Sequence, residues 1–328
     1  MFLVLVTHAS YLSLNPPSQV EISTSFDSAL LRSLSESFSI ICVNSFVLIS
    51  GWYGIRVKIE RSLELLFQVL FISVVLYFIL RVIGLTEVMN MNEWLKVLLF
   101  KHNGYWFVRA YIILYLFAPV LNSFALNVDK GQFKLFLIAF YIIQTVYGFY
   151  HYGGWYAGGY SPLSFLGLYL LARYMHIYSY KYMRFNKYID LSIYSIVSII
   201  IALCSLAFTY YLNKGATLLF LYSSPFVILS SIYFFLFFSK LSFRSERVNW
   251  VAASCFAVYL VHNSPFVFRP YYIDVIKQWY ETESRFLFLQ YTSGLIIVYF
   301  IFSVLFDKVR IFVWQFLYRN VLNVLHKH

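Results

Sequence analysis

The chain has 328 residues, of which 61% are hydrophobic and only 12% are charged, whereas about a quarter of the residues of a soluble domain are charged. This composition excludes an ordinary soluble domain and indicates a membrane protein that crosses the bilayer several times. In a soluble protein, the formal charge of +11 would indicate a nucleic-acid partner. In this chain, the distribution of the basic residues, described below, gives a simpler explanation of the charge.

Apolar residues fall into blocks, most of them about as long as a helix needs to cross roughly 30 Å of hydrocarbon. We therefore predict an all-α membrane protein with about ten transmembrane helices. Pro16 and Pro17 end the first block, because proline cannot continue the helical hydrogen-bond ladder. The predicted spans are 1–14, 36–55, 63–83, 105–126, 133–150, 161–178, 189–212, 216–239, 249–268 and 286–306.

The loops between these spans differ in charge. With the N-terminus in the cytoplasm, roughly twice as many Lys and Arg residues lie on the inner segments as on the outer ones, as the positive-inside rule requires. We therefore predict that both ends are cytoplasmic, and we expect no nucleic-acid partner. The three cysteines lie singly in apolar blocks without metal-ligand spacing, so no metal site is predicted.

Residues 307–328 form a basic tail after the last span. Val309, Phe312 and Phe316 recur at helical spacing, which is typical of an amphipathic helix on an anionic inner leaflet. The alternative is a frayed end of the last span. We divide the chain into a membrane domain at 1–306 and this cytoplasmic tail at 307–328.

Ionisable side chains at membrane depth are costly and are functional candidates by default. His8 and His262 each lie about six residues inside the outer end of a span, and Arg109 lies one turn inside another. His102 and His151 lie at the outer rim. A neutral imidazole near physiological pH can take a proton from a hydroxyl, so His8 is a candidate general base, with His262 orienting His8 or the acceptor. The alternatives are an interfacial histidine bonded to a neighbouring span and, for Arg109, snorkelling to the headgroups.

Arg56, Lys58 and Arg61 form a basic cluster between the second and third spans. This cluster is a candidate site for the phosphates of an anionic donor, or it is ordinary positive-inside charge. The outer loop 151–160 is uncharged and rich in Gly, Tyr and Trp. Its aromatic faces suit sugar rings, and the alternative is an interfacial turn.

Five segments, in order along the chain, resemble the acyltransferase-3 family of integral membrane O-acyltransferases. Phe2-Leu-Val-Leu-Val-Thr-His8 resembles the family's first span, an apolar run that ends in its essential histidine. The other four segments are Asn44–Gly51, the segment with Trp106, Tyr111, Tyr115, Pro119 and Asn122, the segment Ser164–Tyr169, and Tyr259–His262.

The resemblance implies transfer of an acetyl group from cytoplasmic acetyl-CoA to a hydroxyl, usually on a sugar of a surface polysaccharide or its lipid-linked precursor. Acetyl-CoA is then the donor substrate, with no bound cofactor, and the location is the inner membrane of a bacterium. His8 carries over as the catalytic histidine. Supporting or acceptor-binding positions are His262, Asn44, Trp106, Arg109, Tyr111, Tyr115 and Asn122.

The family usually has an arginine about eleven residues before that histidine, and this sequence has no residue there. The fourteen residues of the first block reach about 21 Å as a helix, short of the roughly 30 Å of hydrocarbon. We therefore expect the natural protein to begin upstream of Met1.

Two other functions are compatible with many spans. A polysaccharide polymerase is expected to carry catalytic arginines on long outer loops, and the loops here are near 20 residues at most. A glycan or lipid flippase or transporter favours internal repeats or broken helices with charged pairs at the midplane, and the sequence shows neither. Consumption of a thioester distinguishes an acyltransferase from both.

Overall fold

A computed structural model of the chain describes residues 1–97, 105–150, 154–212 and 217–325, and within these ranges every regular element is helical. The α-helices of the first half are α1 (Phe2–Thr7), α2 (Gln19–Thr24), α3 (Phe26–Ser39), α4 (Cys42–Tyr53), α5 (Ile59–Val82), α6 (Met91–Val97), α7 (Trp106–Asn127) and α8 (Lys130–Gln144). Those of the second half are α9 (Pro162–Ile177), α10 (Ser179–Tyr182), α11 (Lys187–Leu212), α12 (Pro225–Ser239), α13 (Glu246–Ala252), α14 (Cys255–His262), α15 (Asp274–Thr282) and α16 (Arg285–Leu325).

Tighter or wider turns extend several of these helices. Five-residue and six-residue π turns occur at His8–Leu12, Thr145–Tyr150 and Arg269–Ile273, and 3-10 turns occur at Gly154–Gly159 and Leu218–Phe220. The first π turn directly follows α1, and a kink at Ser10 interrupts its helical geometry.

Six helical segments of the described ranges are long and apolar enough to cross a membrane. This agrees with the predicted class of an all-helical membrane protein, whereas the count of ten spans and the orientation stay predictions. The six segments are Phe26–Tyr53, Ile59–Val82, Trp106–Asn127, Lys130–Phe149, Lys187–Leu212 and Leu218–Ser239, and Phe2–Leu12 is a shorter apolar helix.

The chain divides into two compact units. The first unit contains residues Met1–Leu5, Lys58–Trp106 and Arg244–His328, and the second contains Val6–Val57 and Phe107–Phe243.

Close helix packing holds the second unit together. A Cβ atom on Gly51 of α4 would lie 2.5 Å from the carbonyl oxygen of Tyr169 in α9, so only glycine allows these two helices to approach so closely. Small residues serve this purpose in membrane helices generally. The hydroxyls of Ser198 in α11 and Ser230 in α12 lie 3.0 Å apart. This buried hydrogen bond joins a second pair of helices.

A buried ion pair ties α5 to α16 in the first unit. Asp307 is fully buried and Arg310 is 2% exposed. The Arg310 guanidinium donates to both carboxylate oxygens of Asp307 at 2.9 Å and to Glu64 of α5 at 3.1 Å. The side-chain amide of Gln68 donates to the same aspartate at 2.9 Å.

The last helix runs from Arg285 to Leu325 without a break at residue 307. The tail 307–328 therefore begins as the continuation of the last helix, and Arg310, a basic residue of that tail, is buried in the ion pair. The reason is a carboxylate three residues earlier on the same helix face, at Asp307, and residues three apart are neighbours on a helix surface.

Two other predicted boundaries differ from the structure. The segment 15–35 was predicted as an outer loop, but it holds α2 and most of α3. The span predicted at 249–268 is interrupted between α13 and α14, and α14 ends at His262. His262 is therefore the last residue of a helix and does not lie six residues inside one.

Candidate functional site

His8 occupies the point where the first helix changes its geometry. The α-helix ends at Thr7, and the π turn begins at His8. Ser10 within this turn has φ −91° and ψ −107°, which departs from helical values and kinks the chain. The hydroxyl of Ser13 donates to the backbone oxygen of His8 at 2.6 Å. The imidazole is half-buried, so it combines a shielded environment with access.

The polar face of α3 holds this kinked segment in place. Ser10 donates its hydroxyl to the backbone oxygen of Arg32 at 3.2 Å. The backbone N–H of Tyr11 donates to the Glu36 carboxylate at 3.3 Å.

Two further side-chain contacts connect the same elements. The hydroxyls of Tyr11 and Ser33 lie 2.7 Å apart, and Thr7 donates its hydroxyl to Ser39 at 2.8 Å. The residues on both sides of His8 are therefore fixed to one neighbouring helix.

Glu36 and Arg32 are nearly completely buried, at 4% and 6% exposure. The Arg32 guanidinium is paired with Glu21 of α2 and lies 2.9 Å from both of its carboxylate oxygens. Glu21 also accepts the backbone N–H of Ser18 at 2.8 Å in a capping box at the start of α2. Partial burial alone would raise the pKa of Glu21, but the Ser18 N–H and the Arg32 guanidinium outweigh it and lower that pKa below its ordinary value.

Sequence reasoning missed this polar face. Arg32 was assigned to an outer loop and Glu36 to the start of a span. The available signal was the spacing of Arg32, Ser33, Glu36 and Ser37, which repeats after four residues and places all four on one helix face. That pattern predicts a helix with a buried polar stripe, as the structure shows for α3.

Asn44 lies on α4 and is fully buried. Its side-chain N–H donates to the backbone oxygen of Tyr222 at 3.0 Å. Its amide oxygen has no hydrogen-bond partner within the described residues. An unsatisfied buried acceptor costs about 1–3 kcal/mol, so this oxygen is a candidate to accept a hydrogen bond from a bound substrate.

The motif residues of α7 lie in its first half. Trp106 begins the helix, Arg109 lies in its first turn, and both are half-buried. The Tyr111 hydroxyl lies 3.2 Å from that of Ser50 on α4, and the Tyr111 ring stacks on Phe107 with ring centroids 5.8 Å apart. Tyr115 follows one turn later and is also half-buried.

Asn122, near the end of α7, fastens the loop that follows α4. Its side-chain N–H donates to the backbone oxygen of Ile55 at 2.9 Å. The Tyr169 hydroxyl of α9 donates to the Asn122 oxygen at 2.7 Å and accepts the N–H of Ile55 at 2.9 Å. Both backbone groups of Ile55 are thereby satisfied, and these motif positions of α7 and α9 meet at one loop residue.

The basic cluster lies on the loop after α4 and on the first turn of α5. Arg56 belongs to the second unit, and Lys58 and Arg61 belong to the first. All three side chains are exposed to solvent or headgroups.

His262 ends α14 in the first unit and is fully buried. Its Nδ1 lies 2.6 Å from the backbone oxygen of Val258. Because a carbonyl can only accept, Nδ1 carries a proton, so in the neutral form of the ring the lone pair is on Nε2. The Tyr272 ring lies 5.8 Å from the imidazole, and its hydroxyl donates to the backbone oxygen of Leu5 at 2.7 Å, three residues before His8 in the sequence.

The remaining predicted positions are only partly described. His102 and His151 lie outside the described residues. Of the loop predicted at 151–160, Gly154–Gly159 forms 3-10 turns in which Trp155 is exposed and Tyr156 is buried. Tyr160 is also exposed, so two aromatic rings among the described residues of this loop are presented outward.

Together, the apolar spans and the histidine held at a helix kink describe an all-helical membrane protein with a candidate catalytic imidazole. The chain belongs to the acyltransferase-3 family, because the model of its acyltransferase domain matches residues 1–307. This confirms the resemblance stated from the sequence. Comparison with curated proteins and with solved structures gave no match.

Proposed function

We propose that the protein is an acyl-CoA-dependent O-acyltransferase of a bacterial inner membrane. Its acceptor would be a hydroxyl of a cell-surface polysaccharide or a lipid-linked glycan, and its acyl group acetyl or a close relative. The observation that carries the proposal is the position of His8 at the start of the π turn, within a domain of the acyltransferase-3 family. Single π turns in helices frequently mark functional sites.

The proposed reaction requires a base that removes the proton of the acceptor hydroxyl. As the acceptor oxygen attacks the thioester carbonyl, its proton passes to the neutral imidazole of His8. The C–S bond then breaks, and the CoA thiolate takes that proton to leave as the thiol. In the two-step variant, an imidazole nitrogen attacks the thioester carbonyl, the C–S bond breaks and CoA leaves as the thiolate. The acceptor oxygen then attacks the acyl-imidazole, the C–N bond breaks, and the hydroxyl proton passes to the thiolate. Both routes give one ester and one CoA thiol.

Other motif residues have supporting roles in this proposal. The buried amide oxygen of Asn44 accepts a hydrogen bond from an acceptor hydroxyl and so orients it. Tyr111 and Asn122 keep α4 and its following loop in place through Ser50 and Ile55. The exposed Arg56, Lys58 and Arg61 attract the negatively charged donor to the membrane surface.

The test measures release of the CoA thiol by the purified protein in lipid nanodiscs, with acetyl-CoA and a lipid-linked glycan. We expect thiol release that depends on the glycan, and an acetyl ester on the glycan by mass spectrometry. Glycan lengthening without thiol release would instead show a polymerase. Glycan translocation without thiol release would show a flippase.

His8→Ala tests the assigned base. Because general-base catalysis typically contributes about 10²–10⁴-fold, we expect thiol release to fall by at least about a hundredfold at normal protein accumulation in membranes. His326→Ala is the matched control, since it removes a histidine beyond the residues that the family model matches. Near-normal acetylation by His8→Ala would remove His8 from the mechanism.

A further inference from the structure

Arg173 is a half-buried arginine whose surroundings differ from those of the buried, ion-paired Arg32 and Arg310. Arg32 and Arg310 each face a carboxylate at hydrogen-bond distance. Arg173, on α9, has no carboxylate partner among the described residues. Its Nη1 donates only a long hydrogen bond, at 3.4 Å, to the backbone oxygen of Trp52, and its buried Nε has no acceptor within the described ranges.

A guanidinium withdrawn from water without an anion is unfavourable. The carbonyl of Trp52 lies in the last turn of α4, where the helix dipole gives some compensation. That contact uses one of the five N–H groups of the guanidinium. The planar fork of an arginine is therefore largely available to an anion at this end of α4.

The loop after α4 passes directly beside this guanidinium. Gly54 has φ +75°, and a Cβ atom there would lie 3.1 Å from Nη1 of Arg173. The next residue, Ile55, is fixed through both of its backbone groups by Asn122 and Tyr169. Arg56 follows, two residues from Gly54, and two residues of chain span at most about 7 Å. The loop thus places the backbone of a second arginine, exposed Arg56, within about 7 Å of the glycine that contacts Arg173.

We propose that Arg173 and Arg56 bind a phosphate group at the end of α4. Two planar guanidiniums supply bidentate, charge-assisted hydrogen bonds, and each can bind a pair of phosphate oxygens. Arg173 provides the half-buried, fixed donor, and Arg56 provides the exposed one. Resting on the proposed function, the phosphate is the diphosphate of the acyl-CoA donor, and the other source of the same chemistry is a phospholipid headgroup.

The experiment measures the dissociation constant of coenzyme A by calorimetry for full-length protein in nanodiscs of zwitterionic lipid. Arg173→Gln removes the charge and keeps a similar length, so we expect the dissociation constant to rise about tenfold or more. Arg173→Lys keeps the positive charge but lacks the planar guanidinium. Its dissociation constant should lie between those of the unchanged protein and Arg173→Gln. Arg184→Gln, an exposed arginine elsewhere in the same unit, is the matched control and should bind like the unchanged protein.

A second measurement separates the two phosphate sources. The rise in melting temperature between zwitterionic and phosphatidylglycerol nanodiscs is compared for the same variants. Loss of that rise in Arg173→Gln, with unchanged coenzyme A binding, would assign the site to a lipid headgroup. If the unchanged protein does not bind coenzyme A at all, the donor proposed above fails, and the lipid comparison alone decides the phosphate site.

The site is overturned if Arg173→Gln changes neither coenzyme A binding nor the lipid-dependent rise. Arg173 would then only cap α4. Should Arg173→Gln not fold, Arg56→Gln provides the same test, because Arg56 is exposed and its replacement leaves the helix packing intact. Unchanged binding in both measurements for Arg56→Gln would likewise overturn the site.

Discussion

The carboxylate of Glu36 accepts the backbone N–H of Tyr11 at 3.3 Å, and this contact spans the kink that follows His8. A kink disturbs the regular hydrogen bonds of a helix, and a buried N–H without any acceptor costs about 1–3 kcal/mol. The acidic side chain thus provides an acceptor for a backbone N–H of the kinked segment.

Replacing Glu36 should affect activity through the position of His8. For Glu36→Ala we expect a loss of about 1–3 kcal/mol in unfolding free energy and a fall in kcat with a smaller change in the KM for the donor. Glu36→Gln should be milder, because its amide oxygen still accepts the Tyr11 N–H. The checks are unfolding in detergent titrations and initial rates of thiol release. Equal activity of Glu36→Ala and the unchanged enzyme would contradict the positioning role.

The paired carboxylate of Glu21 gives a prediction for low pH. Its folded-state pKa is lowered from 4.5, so its contribution to stability is present above that value and is lost as pH falls through the lower, folded-state pKa. The melting-temperature difference between the unchanged protein and Glu21→Gln should therefore be constant near neutral pH and shrink in acid. Glu87→Gln, which removes an exposed carboxylate, is the control. A difference that does not vary with pH would show that the carboxylate keeps the same protonation in both states.

The ion pair of α16 should behave as a unit. Arg310→Met leaves the fully buried Asp307 carboxylate without its cation, and breaking a buried pair costs about 3–5 kcal/mol. Asp307→Leu combined with Arg310→Met removes both charges and should cost less than the single change. Unfolding free energies measured by denaturant titration decide this, with exposed Arg247→Met as the control. A double variant less stable than Arg310→Met would contradict the prediction.

The orientation of the chain is tested by labelling. In a background with Cys42, Cys204 and Cys255 replaced by alanine, an impermeant thiol reagent applied to intact cells should modify a cysteine at position 154 and spare one at position 184. The reason is the twofold excess of basic residues on the segments predicted to be cytoplasmic. The reverse labelling pattern would invert the topology.

Hydropathy predicted the long apolar helices closely. The spans predicted at 63–83, 105–126 and 189–212 correspond to Ile59–Val82, Trp106–Asn127 and Lys187–Leu212. The agreement has a physical reason, since a helix that must satisfy its backbone within hydrocarbon is marked by composition alone.

Composition was uninformative where polar groups are buried against each other. The Arg, Ser and Glu residues of α3 look like a loop in any average of hydropathy, yet they share one face that bonds the segment from Thr7 to Tyr11. The partner of each polar group is a distant residue, so no local window can identify it. The same limit hid the pairing of Asp307 with Gln68. It also hid the fact that, within the described ranges, no carboxylate pairs with Arg173.

The turn that begins at His8 contains the kink at Ser10, and a π turn holds one residue more than an α-helical turn does. Each residue advances a helix by about 100°, so this turn amounts to a single-residue insertion, and its length is part of the site. A variant that lost one of the four residues after His8 would allow a regular helix to continue through the histidine. Such a chain would keep the imidazole but change its orientation relative to the rest of the segment. The number of residues in this segment therefore matters as much as their identity.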